Sequence, residues 1–236
     1  AFRMAVTSKE AQTNPRLKAS LIHTFTHQMD EIVGQFPLKE GSTILHRLPN
    51  YERWAIDLMT HGNYDDYWKQ RGYGMSEYYN EHSDVPTLYL GGWYDSYARN
   101  TCESFIALSK LKKSDQRLLM GPWTHGGWGA SYAGEIDFGI DSPIIHNDLQ
   151  LAWFDHYLKH MHTEVTDWSP VRIFTMGTGD GKRVILGAPG ERSEYPGRIN
   201  HGGYWRNESD WPLKYTNFTS FYLQNSGHLS PDKPKT

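Results

Sequence analysis

VPTLYLGGWYD (residues 85–95) and QRLLMGPWTH (residues 116–125) are the two stretches that decide the fold. Each opens with a short apolar run that reaches a glycine, which predicts a buried strand ended by that glycine. The segment between them, ARNTCESFIALSKLKK (98–113), has apolar side chains at helical spacing, with Asn100 placed to cap its first turn. A strand, a helix and a strand joined by short connections predict two neighbouring parallel strands.

The chain continues this alternation. HNDLQLAWFDHYLKHM (146–161) predicts a second helix, and we expect its apolar stripe of Leu151, Phe154, Leu158 and Met161 to face the core. VRIFTMG (171–177) predicts a third strand. The order β-α-β-α-β indicates an α/β protein with a mainly parallel sheet, whereas the residues before 85 have helical spacings.

Composition excludes several classes of function. The 236 residues carry a net charge of −3, with no basic patch for nucleic acid and no apolar run long enough to span a membrane. Cys102 is alone, so an internal disulfide or a cysteine zinc cluster is excluded. His156 and His160 have the spacing of a metal pair, but we interpret them as a solvated helix face. No metal or cofactor site is predicted.

Asp95 and His125 follow the two predicted strands. Because the carboxyl ends of parallel strands meet at one edge of a sheet, we expect these two side chains to lie close together. A carboxylate that accepts from one imidazole nitrogen fixes the tautomer and leaves the other nitrogen as a general base. Either residue alone could instead be a loop-capping carboxylate or a structural histidine.

GASYAG (129–134) imitates the serine elbow of α/β-hydrolases at Ser131. The elbow must lie between a strand and a helix, and the serine precedes its acid and its histidine along the chain. Ser131 follows both Asp95 and His125, and its surroundings have neither a strand before it nor a helix after it. We therefore exclude Ser131 as the nucleophile.

The order and spacing of several motifs resemble the CocE/NonD family, the cocaine-esterase-like branch of the X-Pro dipeptidyl-peptidase (S15) group of serine hydrolases. The motifs are a G-W-Y-D that ends at Asp95, a G-P-W-T-H that ends at His125, a W-F-D helix at 153–155 and a D-W-P at 210–212. The resemblance covers roughly residues 64–225. It implies that Asp95 is the catalytic acid and His125 the catalytic base.

The resemblance also implies a domain organisation. Residues 1–84 would be mostly a helical cap segment, 85–204 the C-terminal half of an α/β-hydrolase core, and 205–236 the first strands of a truncated jelly-roll β-domain. The nucleophile elbow of the family lies before the cap, so we expect the serine upstream of residue 1 and expect this chain to be inactive alone.

The predicted activity is hydrolysis of a small-molecule ester or amide by a Ser-His-Asp triad. Two alternatives stay open: an X-Pro dipeptidyl-peptidase-like aminopeptidase, and a non-catalytic fragment or carbohydrate-binding module. Aromatic side chains beside the acid and base could line a pocket for an apolar acyl group or could simply pack, namely Trp93, Tyr94, Trp123 and Trp128. A homo-oligomer is left open, and the sequence does not determine the compartment.

Overall fold

Two units divide the chain in the computed structural model, Ala1–Tyr78 and Tyr79–Thr236. The structure describes residues 1–185, 197–225 and 227–234. The predicted α/β class is confirmed, because the second unit contains parallel strands with helices between them. The predicted boundaries at 84 and 204 stay predictions.

Helices build the first unit. They are α1 (Phe2–Ala5), α2 (Lys9–Thr13), α3 (Pro15–His27), α4 (Met29–Gly34) and α5 (Pro49–Thr60), with a 3-10 helix at Ile44–Arg47. The division between the two units falls within a second 3-10 helix, Met75–Glu81. Ser8 and Asn14 cap α2 and α3, since their side-chain oxygens accept from backbone N–H groups three residues on, at 3.1 Å in both cases. Within the described residues, no helix of either unit is long and apolar enough to cross a membrane.

A four-stranded sheet organises the second unit. Its strands, in spatial order, are β1 (Thr87–Tyr94), β2 (Gln116–Thr124), β5 (Val171–Met176) and β7 (Gly203–Glu208), which pair in parallel except for β7, which runs antiparallel to β5. The elements of this unit are β1 (Thr87–Tyr94), α6 (Ala98–Leu111), β2 (Gln116–Thr124), β3 (Tyr132–Ala133), β4 (Ile136–Asp137), α7 (His146–Lys159), a 3-10 helix (Glu164–Thr166), β5 (Val171–Met176), β6 (Ile199–Asn200), β7 (Gly203–Glu208), β8 (Tyr222–Leu223) and β9 (Leu229–Ser230).

Glycines do not end the first two strands, and that prediction is wrong. β1 continues through Gly91 and Gly92 to Tyr94, and β2 continues through Gly121 to Thr124. A Cβ on Gly92 would lie 2.2 Å from the carbonyl oxygen of Trp123. Glycine therefore allows the close approach of the two backbones here, and the register shifts between Gly92 and Tyr94 as in a β-bulge.

The face of α7 that packs on the sheet also differs from the prediction. Leu149 and Trp153 are buried, whereas the predicted core stripe is exposed and Leu158 keeps 73% of its surface accessible. The helix carries apolar residues on both faces, so periodicity alone could not select the buried one.

The C-terminal segment begins inside the main sheet. The predicted boundary between 204 and 205 falls within β7, which pairs with β5 from Gly203 to Glu208. A short antiparallel hairpin, β8–β9, follows. Residues 186–196 of the Gly- and Pro-rich stretch 179–203 lie outside the described residues. A jelly-roll domain from 205 onward stays a prediction.

Candidate active site

Asp95 and His125 lie side by side at the carboxyl ends of β1 and β2. His125 Nδ1 and Asp95 Oδ2 are 3.0 Å apart, within hydrogen-bond distance. The two strands are neighbours in parallel register, and Tyr94 lies opposite Thr124, so the next residue of each strand leaves the sheet at the same edge. The structure therefore brings together the two side chains that the sequence predicts as a pair.

A second set of hydrogen bonds holds the Asp95 carboxylate. Its Oδ1 accepts from the backbone N–H of Tyr97 at 2.9 Å, and its backbone carbonyl accepts from Ala98 N–H at 3.1 Å as α6 begins. The predicted cap at Asn100 is wrong, because α6 begins at Ala98 and includes Asn100 in its first turn. Burial raises the pKa of Asp95, but the bonds from Tyr97 and His125 outweigh burial and hold that pKa below its ordinary value.

The two members of the pair differ in exposure. The Asp95 side chain is only 9% exposed, whereas that of His125 is 72% exposed. The ring of Tyr97 lies 5.3 Å from the imidazole and covers part of one side. Among the described residues no side chain hydrogen-bonds Nε2 of His125, so that nitrogen is open to a reacting group. The arrangement can orient an imidazole and stabilise its protonated form.

Ser131 is engaged elsewhere. It is buried, and its Oγ donates to Asp137 Oδ2 at 3.1 Å rather than to His125. The other oxygen of Asp137 accepts from Gly139 N–H at 2.8 Å, and Phe138 N–H donates to the Ser131 carbonyl at 2.7 Å. Ser131 therefore fastens the loop after His125 to the β3–β4 hairpin.

Sequence reasoning missed Asp137 and Ser142, two buried polar residues that hold this loop. Ser142 accepts from the indole N–H of Trp123 at 3.1 Å through its carbonyl, and its hydroxyl donates to Gly139 at 2.8 Å. Nearby, Ile144 N–H donates to the Trp128 carbonyl at 2.8 Å. The position of Asp137 between Ile136 and Phe138 was the signal that could have identified it. An aspartate between large apolar residues tends to be buried, and a buried carboxylate needs hydrogen-bond donors.

The four aromatic candidates divide into two groups. Trp123 is 1% exposed, and Trp93 packs on Trp211 while its indole donates to the Phe174 carbonyl at 2.9 Å. These two contribute packing. Tyr94 is exposed, and Trp128 stacks on His146 and lines two open cavities. A substrate-contacting role for Tyr94 and Trp128 stays a prediction.

The described residues contain no group of three or more side chains arranged to hold a metal ion. His156 Nδ1 contacts the Met161 carbonyl at 2.8 Å, and His160 lies just beyond α7 with a left-handed backbone. Their i, i+4 spacing therefore does not continue along one helix face.

Asp95 and His125 thus form a hydrogen-bonded carboxylate–imidazole pair at one edge of the sheet in an α/β unit. The model of the X-Pro dipeptidyl-peptidase (S15) family matches residues 2–127. Cocaine esterase from Rhodococcus sp. (strain MB1 Bresler) is 28% identical over 200 residues, which is 81% of this chain and 28% of that protein.

Two crystal structures of a CocE/NonD family hydrolase from Staphylococcus aureus are also similar. Their TM-scores are 0.47 and 0.44 at 21% and 20% identity, and each match covers 80% of this chain and 28% of the other. The family match spans more than half of the sequence, and the chain belongs to the X-Pro dipeptidyl-peptidase (S15) family. The predicted CocE/NonD relationship is confirmed. The chain spans about 28% of the length of these relatives.

Proposed function

We propose that this chain supplies the acid and the base of a serine hydrolase that cleaves ester or amide bonds of small molecules. The observation that carries the proposal is the 3.0 Å contact between His125 Nδ1 and Asp95 Oδ2 at neighbouring strand ends. Membership of the S15 family agrees with it. No cofactor takes part in the proposed reaction.

In the proposed mechanism His125 moves a proton between two oxygens. Its Nε2 takes the proton of a serine hydroxyl as that oxygen attacks the acyl carbon, and later donates it to the leaving group. Asp95 receives Nδ1–H, which fixes the tautomer, and its charge stabilises the imidazolium. The lowered pKa of Asp95 keeps its carboxyl ionised at neutral pH.

The nucleophile of this proposal lies on a part of the polypeptide outside this sequence. Ser131 donates to Asp137, and none of the described residues presents a hydroxyl hydrogen-bonded to His125. We accordingly propose that the chain has no esterase activity alone and that the second unit is part of a larger α/β-hydrolase core.

Among the described residues no strand pairs with the outer edge of β1, and this edge supports a larger core. Thr87 N–H donates to the carbonyl of Asp115 next to β2, so by alternation the backbone groups of Leu88 and Leu90 point away from β2. Their side chains pack on the α7 side of the sheet. An unprotected apolar edge is unusual in a finished sheet, and a further strand would pair there.

The exposed face of α7 supports the same proposal. A cavity of about 470 Å³ lies between the outer edge of β1 and α7, lined by Leu88, Leu90, Trp153 and Phe154 among others. Exposed apolar surface next to an unpaired strand is expected where more of the same core packs.

The test uses the full-length protein and hydrolysis of p-nitrophenyl acetate. We expect His125→Ala to lower kcat by roughly 10³-fold or more, because acylation loses its general base. Ser131→Ala, the matched control in the same loop, should retain turnover within roughly tenfold. Comparable losses in the two variants would return Ser131 to the reaction, and an active His125→Ala enzyme would exclude the proposal.

The family model that matches this chain favours a second candidate, an aminopeptidase that releases X-Pro dipeptides. The same proton transfers would serve an amide, so the pair does not distinguish the two. Parallel assays with p-nitrophenyl acetate and an alanyl-prolyl-p-nitroanilide distinguish them by kcat/KM. Preference for the anilide would establish the peptidase and leave the roles of Asp95 and His125 unchanged.

A further inference from the structure

A second cavity lies on the α7 side of the sheet, and none of its lining residues contacts Asp95 or His125. Its volume is about 450 Å³, within the range of small-molecule sites. The buried side chains of Leu119 and Leu149 form an apolar floor. The guanidinium of Arg172 lies against two indoles, Trp168 and Trp205, and all three line the same space.

Arg172 occupies an unusual place for a charge. In β5 it lies directly opposite Leu119 of β2, in the lateral row that continues to Leu90 of β1, so it projects from the apolar face of the sheet. Its guanidinium carbon is 4.8 Å from the Trp168 ring centre and 5.3 Å from that of Trp205. Among the described residues it has no hydrogen bond or ion pair, and burial lowers its pKa although the charge of Glu164 opposes this.

Arg117 provides a comparison on the same face of the sheet. Its Nε donates to Asp115 Oδ2 at 2.8 Å, and its Nη1 donates to the backbone carbonyls of Val165 at 2.5 Å and Trp168 at 2.7 Å. On this face of the sheet, protein acceptors thus hold the guanidinium of Arg117, whereas, among the described residues, the guanidinium of Arg172 contacts only the two indoles. Partly buried guanidinium donors normally have acceptors, since their desolvation is costly.

The residues that line the cavity indicate the charge of the ligand. Arg172 already lies against both indoles, and its positive charge repels a further cation at this place. The carboxylates at the opening belong to Asp141, Asp148 and Glu164, which are solvent-exposed and therefore screened. Arg172 is half-buried, so solvent screens its charge less than it screens those carboxylates.

We propose that this cavity binds a small amphiphilic carboxylate, with its carboxylate on the Arg172 guanidinium and its hydrocarbon body over Leu119 and Leu149. A guanidinium forms two parallel hydrogen bonds to a carboxylate, and the contacts of Arg172 with two indoles restrict its orientation. The apolar floor selects an aliphatic or aromatic body. The proposal does not rest on the proposed hydrolase activity, because neither Asp95 nor His125 lines this cavity.

Isothermal titration calorimetry of the purified chain tests the proposal with three probes of equal length: octanoate, octanol and octylammonium. Octanoate should bind at least tenfold more tightly than octanol, the difference expected for a charge-assisted hydrogen bond, and octylammonium should bind weakest. Equal binding of octanoate and octanol, or tighter binding of octylammonium, would overturn the proposal.

Three variants complete the experiment. Arg172→Gln should weaken octanoate binding about tenfold or more and leave octanol binding unchanged. Arg99→Gln, which removes an exposed guanidinium on α6, should change neither. Glu164→Gln removes an exposed competing charge and should strengthen octanoate binding, so it tests the site even if Arg172→Gln does not fold. Weaker octanoate binding by Glu164→Gln would contradict the assigned sign of charge.

Discussion

Replacing Gly92 by alanine should separate the two strands that carry the candidate pair. The added Cβ would lie 2.2 Å from the carbonyl oxygen of Trp123 and 2.9 Å from its carbonyl carbon. Both neighbours are backbone atoms of β2, so no side-chain rotation can relieve the contact, and the strands must move apart by roughly 1 Å to reach ordinary van der Waals distance. Overpacking of this kind costs about 1–3 kcal/mol, and we expect the upper end of that range.

Urea unfolding of the chain, followed by tryptophan fluorescence, measures this cost. The control is Gly129→Ala, in the loop after His125, where an added Cβ meets nothing within 4 Å. We expect Gly92→Ala to lower the free energy of unfolding by about 3 kcal/mol and the control to change it by less than about 0.5 kcal/mol. Equal stabilities of the two variants would refute the close approach of β1 and β2 at this position.

Three further predictions follow from other contacts. Ser131→Ala should lower the free energy of unfolding by about 1–2 kcal/mol in a denaturant titration, because buried Asp137 loses a donor; no change would contradict the observed contact. The pKa of Asp84 is lowered to about 2 by hydrogen bonds from Ser114 and Lys113, so its contribution to stability is present above the unfolded value near pH ~4 and is lost as the pH falls toward 2. In thermal unfolding, Asp84→Asn should therefore lose less stability than the unmodified chain as the pH falls from about 4 to about 2. The same pH profile in both proteins would refute the contribution of Asp84. On α7, Trp153→Ala should cost about 3–5 kcal/mol and Leu158→Glu less than about 0.5 kcal/mol; the reverse order would restore the face predicted from the sequence.

The sequence predicted the part of the site that depends on strand ends. Asp95 and His125 each follow an apolar run. The short connection through one helix between these runs predicts that the two strands are parallel neighbours. The hydrogen bond between the two side chains follows from that topology. The sequence did not predict the hydrogen bond from Tyr97 N–H to Asp95 Oδ1. That bond depends on where α6 begins, and the cap of α6 was predicted at Asn100.

The errors have a common physical cause. Gly92 resembles a strand breaker when read locally, but the approach of the Trp123 carbonyl requires a glycine there, and that contact joins residues about 30 positions apart. Likewise α7 is apolar on two faces, so only the sheet decides that Leu149 and Trp153 are buried. Asp137, held by Ser131, could not be assigned without the β3–β4 hairpin.

The tautomer of His125 is the measurement that tests the central claim most directly. Long-range ¹H–¹⁵N correlation spectra of the chain, at a pH where the imidazole is neutral, report which ring nitrogen carries the proton. A carboxylate acceptor at 3.0 Å predicts a protonated Nδ1 and an unprotonated Nε2, and Asp95→Asn should reduce that preference. A proton on Nε2 in the unmodified chain, or an identical tautomer ratio in Asp95→Asn, would contradict the proposal that Asp95 orients His125 as a general base.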